Sequence, residues 1–246
     1  SGAGDAPSEP AATHIFDRRL CTICGLCAQV CPAGALEMVG ERMTVDEVIA
    51  DVGKDAMFYE TSGGGVTVSG GEPFAQFDFT RALLEAAREA GIHTAVEVTA
   101  TVNWNRLDEV LPLVDLFLVD WKETDPARHR EYTGVDNARI RTNLERLNDA
   151  GADFIIRCPI IPGLNDRTDH FAGIAALSVE LENARGAELL PYNRLGESKL
   201  DRFGLTDRME VRPETPSDET VAAWIRECRA LGGRILNELP EPVADG

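Results

Sequence analysis

The sequence predicts an α/β protein with a parallel sheet, open or closed, and a small cysteine-rich segment near its start. Three observations carry that expectation. Short apolar runs alternate with amphipathic stretches along most of the chain, the pattern of strands joined by crossover helices. Several of the apolar runs finish on a charged or polar side chain, as strands do where a parallel sheet presents its ligand-binding end. Four of the six cysteines crowd into Cys21–Cys31.

Residues 1–13 are rich in Ala, Gly, Pro and Ser and are expected to be poorly ordered. Cys21–Pro32 reads Cys-Thr-Ile-Cys-Gly-Leu-Cys-Ala-Gln-Val-Cys-Pro, the C-x2-C-x2-C-x3-C-P run of a bacterial [4Fe–4S] ferredoxin. Thiolates two and three residues apart converge on one cluster from a tight loop, which makes Cys21, Cys24, Cys27 and Cys31 the candidate metal ligands. In two-cluster ferredoxins the fourth cysteine of such a run ligates the other cluster. Two arrangements therefore stay open: half of a two-cluster segment, or one cluster with unusual ligation. A four-cysteine zinc site is the bland alternative, although such sites usually pair two separated C-x2-C knuckles. Cys158 and Cys228 sit in apolar segments and read as small core residues.

Thr44 and Glu47 form a capping box, and Val45, Val48, Ile49 and Val52 predict a helix to about Asp55 that leads straight into a strand. That strand is Val66-Thr67-Val68, set between Gly63–Gly65 and Gly70-Gly71. Paired glycines after a strand let the backbone turn with positive φ and approach a ligand, and Glu72 then adds a carboxylate suited to an amino group. Helices are predicted at 79–90, 105–111, 126–132, 140–150, 169–182 and, capped by Ser217, up to Leu231. Strands are predicted at 94–98, 115–119, 154–160, 188–190 and 234–236. Glu72, Glu97, Asp120 with Lys122, Arg157 and Asn193 all fall near strand ends. Acids and cations gathered on one rim suit a zwitterionic ligand. Singly each would read as a rim salt bridge; their recurrence over five strands argues for a site.

Composition narrows the function classes. Against 24 Lys and Arg stand 42 Asp and Glu, a net charge of −18, which disfavours nucleic acid and anionic membranes as partners. No apolar run approaches the length of a membrane span. Clustered cysteines in a chain of this size point to a metal site in a reducing compartment, and so to the cytoplasm.

Ser62–Pro73, Ser-Gly-Gly-Gly-Val-Thr-Val-Ser-Gly-Gly-Glu-Pro, resembles the Gly-Gly-Glu motif of radical SAM (S-adenosylmethionine) enzymes, in the form of the glycyl radical enzyme activating enzymes. The resemblance runs from about Leu20 to Leu236. It implies that Gly70, Gly71 and Glu72 contact the methionine amino group of SAM. Asp120-x-Lys122 resembles the family's Asp-x-Lys at a strand end, and Arg157 matches its Arg before a Pro-Gly turn. Leu189-Leu190-Pro191-Tyr192-Asn193 is similar to its Leu-Leu-Pro-Tyr-His, with Asn193 for the usual His. Glu97 keeps the family's acid, while Val98 and Ala100 depart from its Thr or Ser and its Gly.

The implied fold is a partial parallel (β/α) barrel of the radical SAM type with a ferredoxin-like iron–sulfur segment. Residues 1–20 would be disordered or a linker, 21–43 the cluster segment and 44–239 the partial barrel. The implied chemistry is one-electron reductive cleavage of SAM, giving a 5′-deoxyadenosyl radical that abstracts hydrogen from a glycine of a partner glycyl radical enzyme. Reduced flavodoxin or ferredoxin would be the electron donor. The family's C-x3-C-x2-C is absent from the sequence, as is the strand expected before it. The resemblance thus enters the family's pattern after its first strand, and the expectation is a chain that does not cleave SAM alone. The alternative is a non-catalytic iron–sulfur protein for electron transfer or partner binding.

Overall fold

The computed structural model describes residues 16–196, 202–203 and 213–239. Residues 1–13, expected to be poorly ordered, lie outside them. Five strands form one parallel sheet in sequential order: β1 (Gly65–Val68), β2 (His93–Val98), β3 (Leu116–Asp120), β4 (Phe154–Ile160) and β5 (Ala184–Pro191). Sequential parallel order, with each crossover returning to the neighbouring position, is the winding of a (β/α) barrel opened along one side.

The first α-helical turn, α1 (Leu26–Gln29), lies inside the cysteine run. Helix α2 (Val45–Val52) starts on the predicted capping box: Glu47 N donates to Thr44 Oγ1 at 3.3 Å, and Thr44 N donates to Glu47 Oε2 at 2.7 Å. It does not lead straight into the sheet. A 3-10 turn and a further helix, α3 (Ala56–Ser62), intervene. Helix α3 has no fully buried residue, so the sequence carried no apolar period to announce it.

The longer helices that follow bury apolar faces. Helix α4 (Phe77–Glu89) buries Thr80, Leu83, Leu84 and Ala87, the i, i+3, i+4, i+7 spacing of one face. Helices α5 (Trp104–Val110) and α6 (Pro126–Thr133) follow β2 and β3. Helix α7 (Ala138–Asp149) repeats the spacing with Ile140, Asn143, Leu144 and Leu147. Helix α8 (Thr168–Glu180) joins β4 to β5, and α9 (Asp218–Ala230) starts on Ser217, whose Oγ accepts from Thr220 N.

These stripes cover one face of the sheet. Val96 and Val98, Phe117 and Val119, Phe154, Ile156 and Ile160, and Ala187 and Leu189 are buried beneath Leu84, Leu107, Leu144, Phe171 and Ile225. The opposite face is only half-covered. There the alternating positions are Glu97, Leu118 and Asp120, Ile155 and Arg157, and Glu188. The barrel's concave side is thus where the polar strand-end residues gather. Strand β5 is longer than predicted, and the strand predicted at 234–236 is reduced to a single parallel bridge from Ala187 to Ile235.

Candidate functional site

The Gly-Gly-Glu turn is held from below. Pro73 and Phe74 are buried, and Phe74 meets Phe77 edge-on at 5.6 Å. Arg106 Nη1 donates to Phe74 O at 2.8 Å while its guanidinium lies over the Phe77 ring. The turn above this anchor is exposed. Gly70 has φ +113°, a conformation that favours glycine, and a Cβ built at Gly70 or Gly71 would meet nothing within 4 Å. The bare backbone therefore faces open space.

Glu72 does not project freely. Its Oε2 accepts from Thr99 N at 3.1 Å and from Thr99 Oγ1 at 2.6 Å, and its Oε1 accepts from Phe74 N at 3.3 Å. The carboxylate clasps the loop after β2 to the loop after β1. Its remaining lone pairs are what it can offer a ligand.

Along the concave face Arg157 is the central cation. Its Nη1 lies 2.6 Å from Glu97 Oε1, and its Nε lies 3.4 Å from Glu188 Oε2. Ser69 Oγ donates to the other Glu97 oxygen at 2.7 Å. Lys122 Nζ pairs with Asp120 at 2.9 Å, so the two residues of that motif neutralise each other. Asn193 is exposed, and its Oδ1 accepts from Leu195 N at 3.2 Å. Glu97, Arg157, Asp120 and Lys122 thus share one face, while Gly70, Gly71 and Glu72 sit on its β1 end.

Three contributors escaped the sequence reading. Ser69 and Thr99 act through contacts 28 and 27 residues away, which no local pattern reveals. Glu188 was legible in principle, since it alternates with buried Ala187 and Leu189. Behind the rim, buried Asn165 donates through Nδ2 to Lys122 O and Pro159 O, tying the ends of β3 and β4 together. Ala100 takes φ +54°, so alanine adopts the backbone conformation that glycine would supply.

In the cysteine run, Cys21, Cys24 and Cys27 ring a cavity of about 650 Å³ that Gly25, Met38 and Arg202 also line. Ile23, a β-branched residue at φ +57°, shapes the loop between the first two. Hydrogen bonds to the thiolate, from the Leu26 N–H first and the Thr22 side chain second, hold the Cys24 thiol below its ordinary range. The N–H groups of Leu36 and Ala35 do the same for Cys31. Among the described residues no three Cys, His, Asp or Glu side chains converge at metal-ligating distance. The cysteines form an open ring rather than a closed cage, yet the donor chemistry, an all-thiol set with backbone N–H groups aimed at sulfur, fits an iron–sulfur cluster. Cys158 and Cys228 are fully buried core residues on β4 and α9. Burial pushes the Cys228 thiol up to about 12 and raises Cys158 well above the usual thiol value.

A sequentially wound parallel sheet, a glycine-edged first turn and a charged concave rim define a cofactor-binding partial barrel. The family model for the radical SAM superfamily matches residues 20–173, and the chain belongs to that superfamily. Within it the chain is one of the glycyl radical enzyme activating enzymes. It is 48% identical over 209 residues to the isethionate sulfite-lyase activating enzyme of Nitratidesulfovibrio vulgaris, covering 82% of this chain and 67% of that one. It is 38% identical to the choline trimethylamine-lyase activating enzyme of Oleidesulfovibrio alaskensis, covering 87% and 81%. A solved domain of the pyruvate-formate lyase-activating enzyme from Bacteroides vulgatus superposes with a TM-score of 0.57 at 28% identity, covering 70% of this chain and 98% of that one. The chain spans about two thirds of the length of the first curated relatives it matches.

Proposed function

We propose that this chain binds SAM on the concave rim and serves, with thiolates from outside these 246 residues, as the activase of a glycyl radical enzyme. The observation that carries the reading is the joining of the Gly70–Gly71 turn, through Ser69, to the Glu97–Arg157 pair on one half-open face. The open backbone of Gly70 and Gly71 would receive the amino group of SAM, with Glu72 fixing the turn. Arg157 and the Asp120–Lys122 pair would meet its charged and polar groups, and Asn193 would supply hydrogen bonds without titrating. Bound together, SAM and an iron–sulfur cluster supply one-electron reductive cleavage chemistry. Cys21, Cys24, Cys27 and Cys31 would hold an accessory cluster in residues 21–43, fed by reduced flavodoxin or ferredoxin in the cytoplasm.

The test is anaerobic reconstitution with iron and sulfide, followed by EPR of the reduced protein with and without SAM. The expected result is a ferredoxin-like signal that SAM leaves unchanged in this chain, because it has no C-x3-C-x2-C. With a C-x3-C-x2-C segment fused upstream, the signal should shift on adding SAM. A SAM-dependent shift in the chain alone would overturn the claim of dependence. No shift in the fused form would overturn SAM binding and leave an electron-transfer protein.

A further inference from the structure

A second pocket, of about 320 Å³, opens beside the loop after β2 and is unused by the reading above. Its walls are Asn103 and Trp104 at the start of α5 and Arg139, Thr142 and Arg146 on α7, with Asn143 also lining it. Arg139, Thr142 and Arg146 lie at i, i+3 and i+7, one stripe of one helix. No Asp or Glu lines the pocket, although acids outnumber bases by 42 to 24 in the chain. Among the described residues neither arginine has a carboxylate partner. Arg139 Nη1 donates only to Thr101 O, at 3.3 Å, and the Arg146 guanidinium lies 5.7 Å from the centre of the Trp104 ring.

The pocket is rigidly framed. Asn143, 2% exposed, donates through Nδ2 to Ala100 O at 2.8 Å and to Val102 O at 2.9 Å, pinning the loop to α7. Ala100, fully buried at φ +54°, holds a conformation that an alanine adopts only where its surroundings enforce it.

We propose that this pocket binds an oxyanion, a carboxylate or phosphate group, between Arg139 and Arg146 with the Thr142 hydroxyl as a further donor. Guanidinium forks match the planar or tetrahedral oxygens of these groups and form charge-assisted bonds with them. A local charge of +2 on a strongly acidic protein also makes the pocket a place where an anionic group is attracted rather than repelled. The same chemistry comes from two sources, an acidic side chain on a docking polypeptide or a small phosphorylated molecule.

Trp104 reports on the site. It is half-buried against Arg146, whereas Trp121 and Trp224 are 4% and 6% exposed in the core. The chain is titrated at constant ionic strength with inorganic phosphate and, separately, with an acetylated, amidated peptide carrying one Glu, with chloride as the control. A saturable change in tryptophan emission is expected with at least one probe and not with chloride. A peptide response assigns the site to a docking polypeptide, and a response to phosphate alone assigns it to a phosphorylated small molecule. R139Q and R146Q should each weaken binding about tenfold, from the loss of a charge-assisted contact. W104F should abolish the optical response, while R226Q, on exposed α9 surface, should leave it intact. Both arginines are exposed, and circular dichroism checks that the variants fold. The proposal fails if neither probe gives a saturable change, if the response survives in the R139Q/R146Q double variant, or if W104F retains it.

Discussion

Arg157 and Glu97 meet at 2.6 Å although they stand 60 positions apart and on strands separated by β3. The contact exists because β4 and β2 turn the same alternate side chains toward the open face. With Glu188 on the far side, Arg157 stands between two carboxylates. Substituting R157M should leave Glu97 and Glu188 facing each other without it. The expected loss is about 1–3 kcal/mol of stability, the usual cost of removing a charged hydrogen-bond partner from a half-buried site. Urea unfolding measures it, and R157K should recover part of the loss by keeping the charge. A midpoint for R157M equal to that of the unaltered chain would show that water already screens the two carboxylates.

Ala100 should be improvable. A non-glycine residue in the left-handed region costs about 1–2 kcal/mol, and glycine's extra freedom in the unfolded chain takes back about 0.4–1 kcal/mol. A100G should therefore gain between about 0 and 1.5 kcal/mol in urea unfolding. A100V, β-branched at φ +54°, should lose stability. A large loss in A100G would mean that the buried Ala100 methyl group is worth more than the strain it accompanies.

How much of this was legible before folding depends on whether the signal was local. Strand β4 was predicted at its observed bounds, because Phe154, Ile156, Cys158 and Ile160 alternate with half-open positions. The capping box at Thr44 and the cysteine run were equally plain, being set by spacings of two to three residues. Helix α3 was not, since it presents no buried stripe, and the strand expected at 234–236 pairs through one residue alone. At the site, strand ends located Glu97, Asp120 and Arg157. They said nothing of the Thr99 clasp on Glu72, which depends on how two loops meet once the sheet has formed. Lys122 was legible as a rim residue but not as a group already paired with Asp120.

Stability should fall in mild acid through His170. This residue is fully buried on α8, with its Nδ1 accepting from Thr124 N at 3.1 Å and its Nε2 without a partner among the described residues. Burial above all, and the Arg167 charge, lower its pKa to about 4, against the opposing pull of Glu123 and Asp169. The unfolded chain takes up this proton near pH 6.5, and the folded chain refuses it until about 4. Between those values the unfolded state binds more protons, so stability decreases as pH falls. The contribution is on the order of 3 kcal/mol across the window and flat above it. H170N, which keeps an acceptor for Thr124 but cannot titrate, should flatten the slope of unfolding free energy between pH 4.5 and 6.5 by nearly one proton. Equal slopes would assign the acid sensitivity elsewhere.

The cysteines divide into two sets by exposure, and iron should follow that division. Cys21, Cys24 and Cys27 are exposed and Cys31 is half-exposed, while Cys158 and Cys228 are buried in the core. In the metal-free chain a thiol reagent should therefore modify four residues quickly and the other two only on unfolding, because the thiolate must be both formed and reached. After anaerobic reconstitution, C24A and C27A should lose most bound iron and the visible absorption of the cluster. C158A and C228A should keep the iron but lose stability, by about 1–3 kcal/mol for a small cavity in the packed layer between the sheet and its helices. C31A separates the two arrangements that the ferredoxin spacing leaves open. If Cys31 completes the cluster begun by Cys21, Cys24 and Cys27, its loss should release iron as readily as C27A does. If Cys31 belongs to a second cluster, C31A should retain a full complement on the other three cysteines and a ligand from outside the run. Iron retained in C24A and C27A alike would remove the whole run as a cluster site, and with it the electron path proposed for this chain.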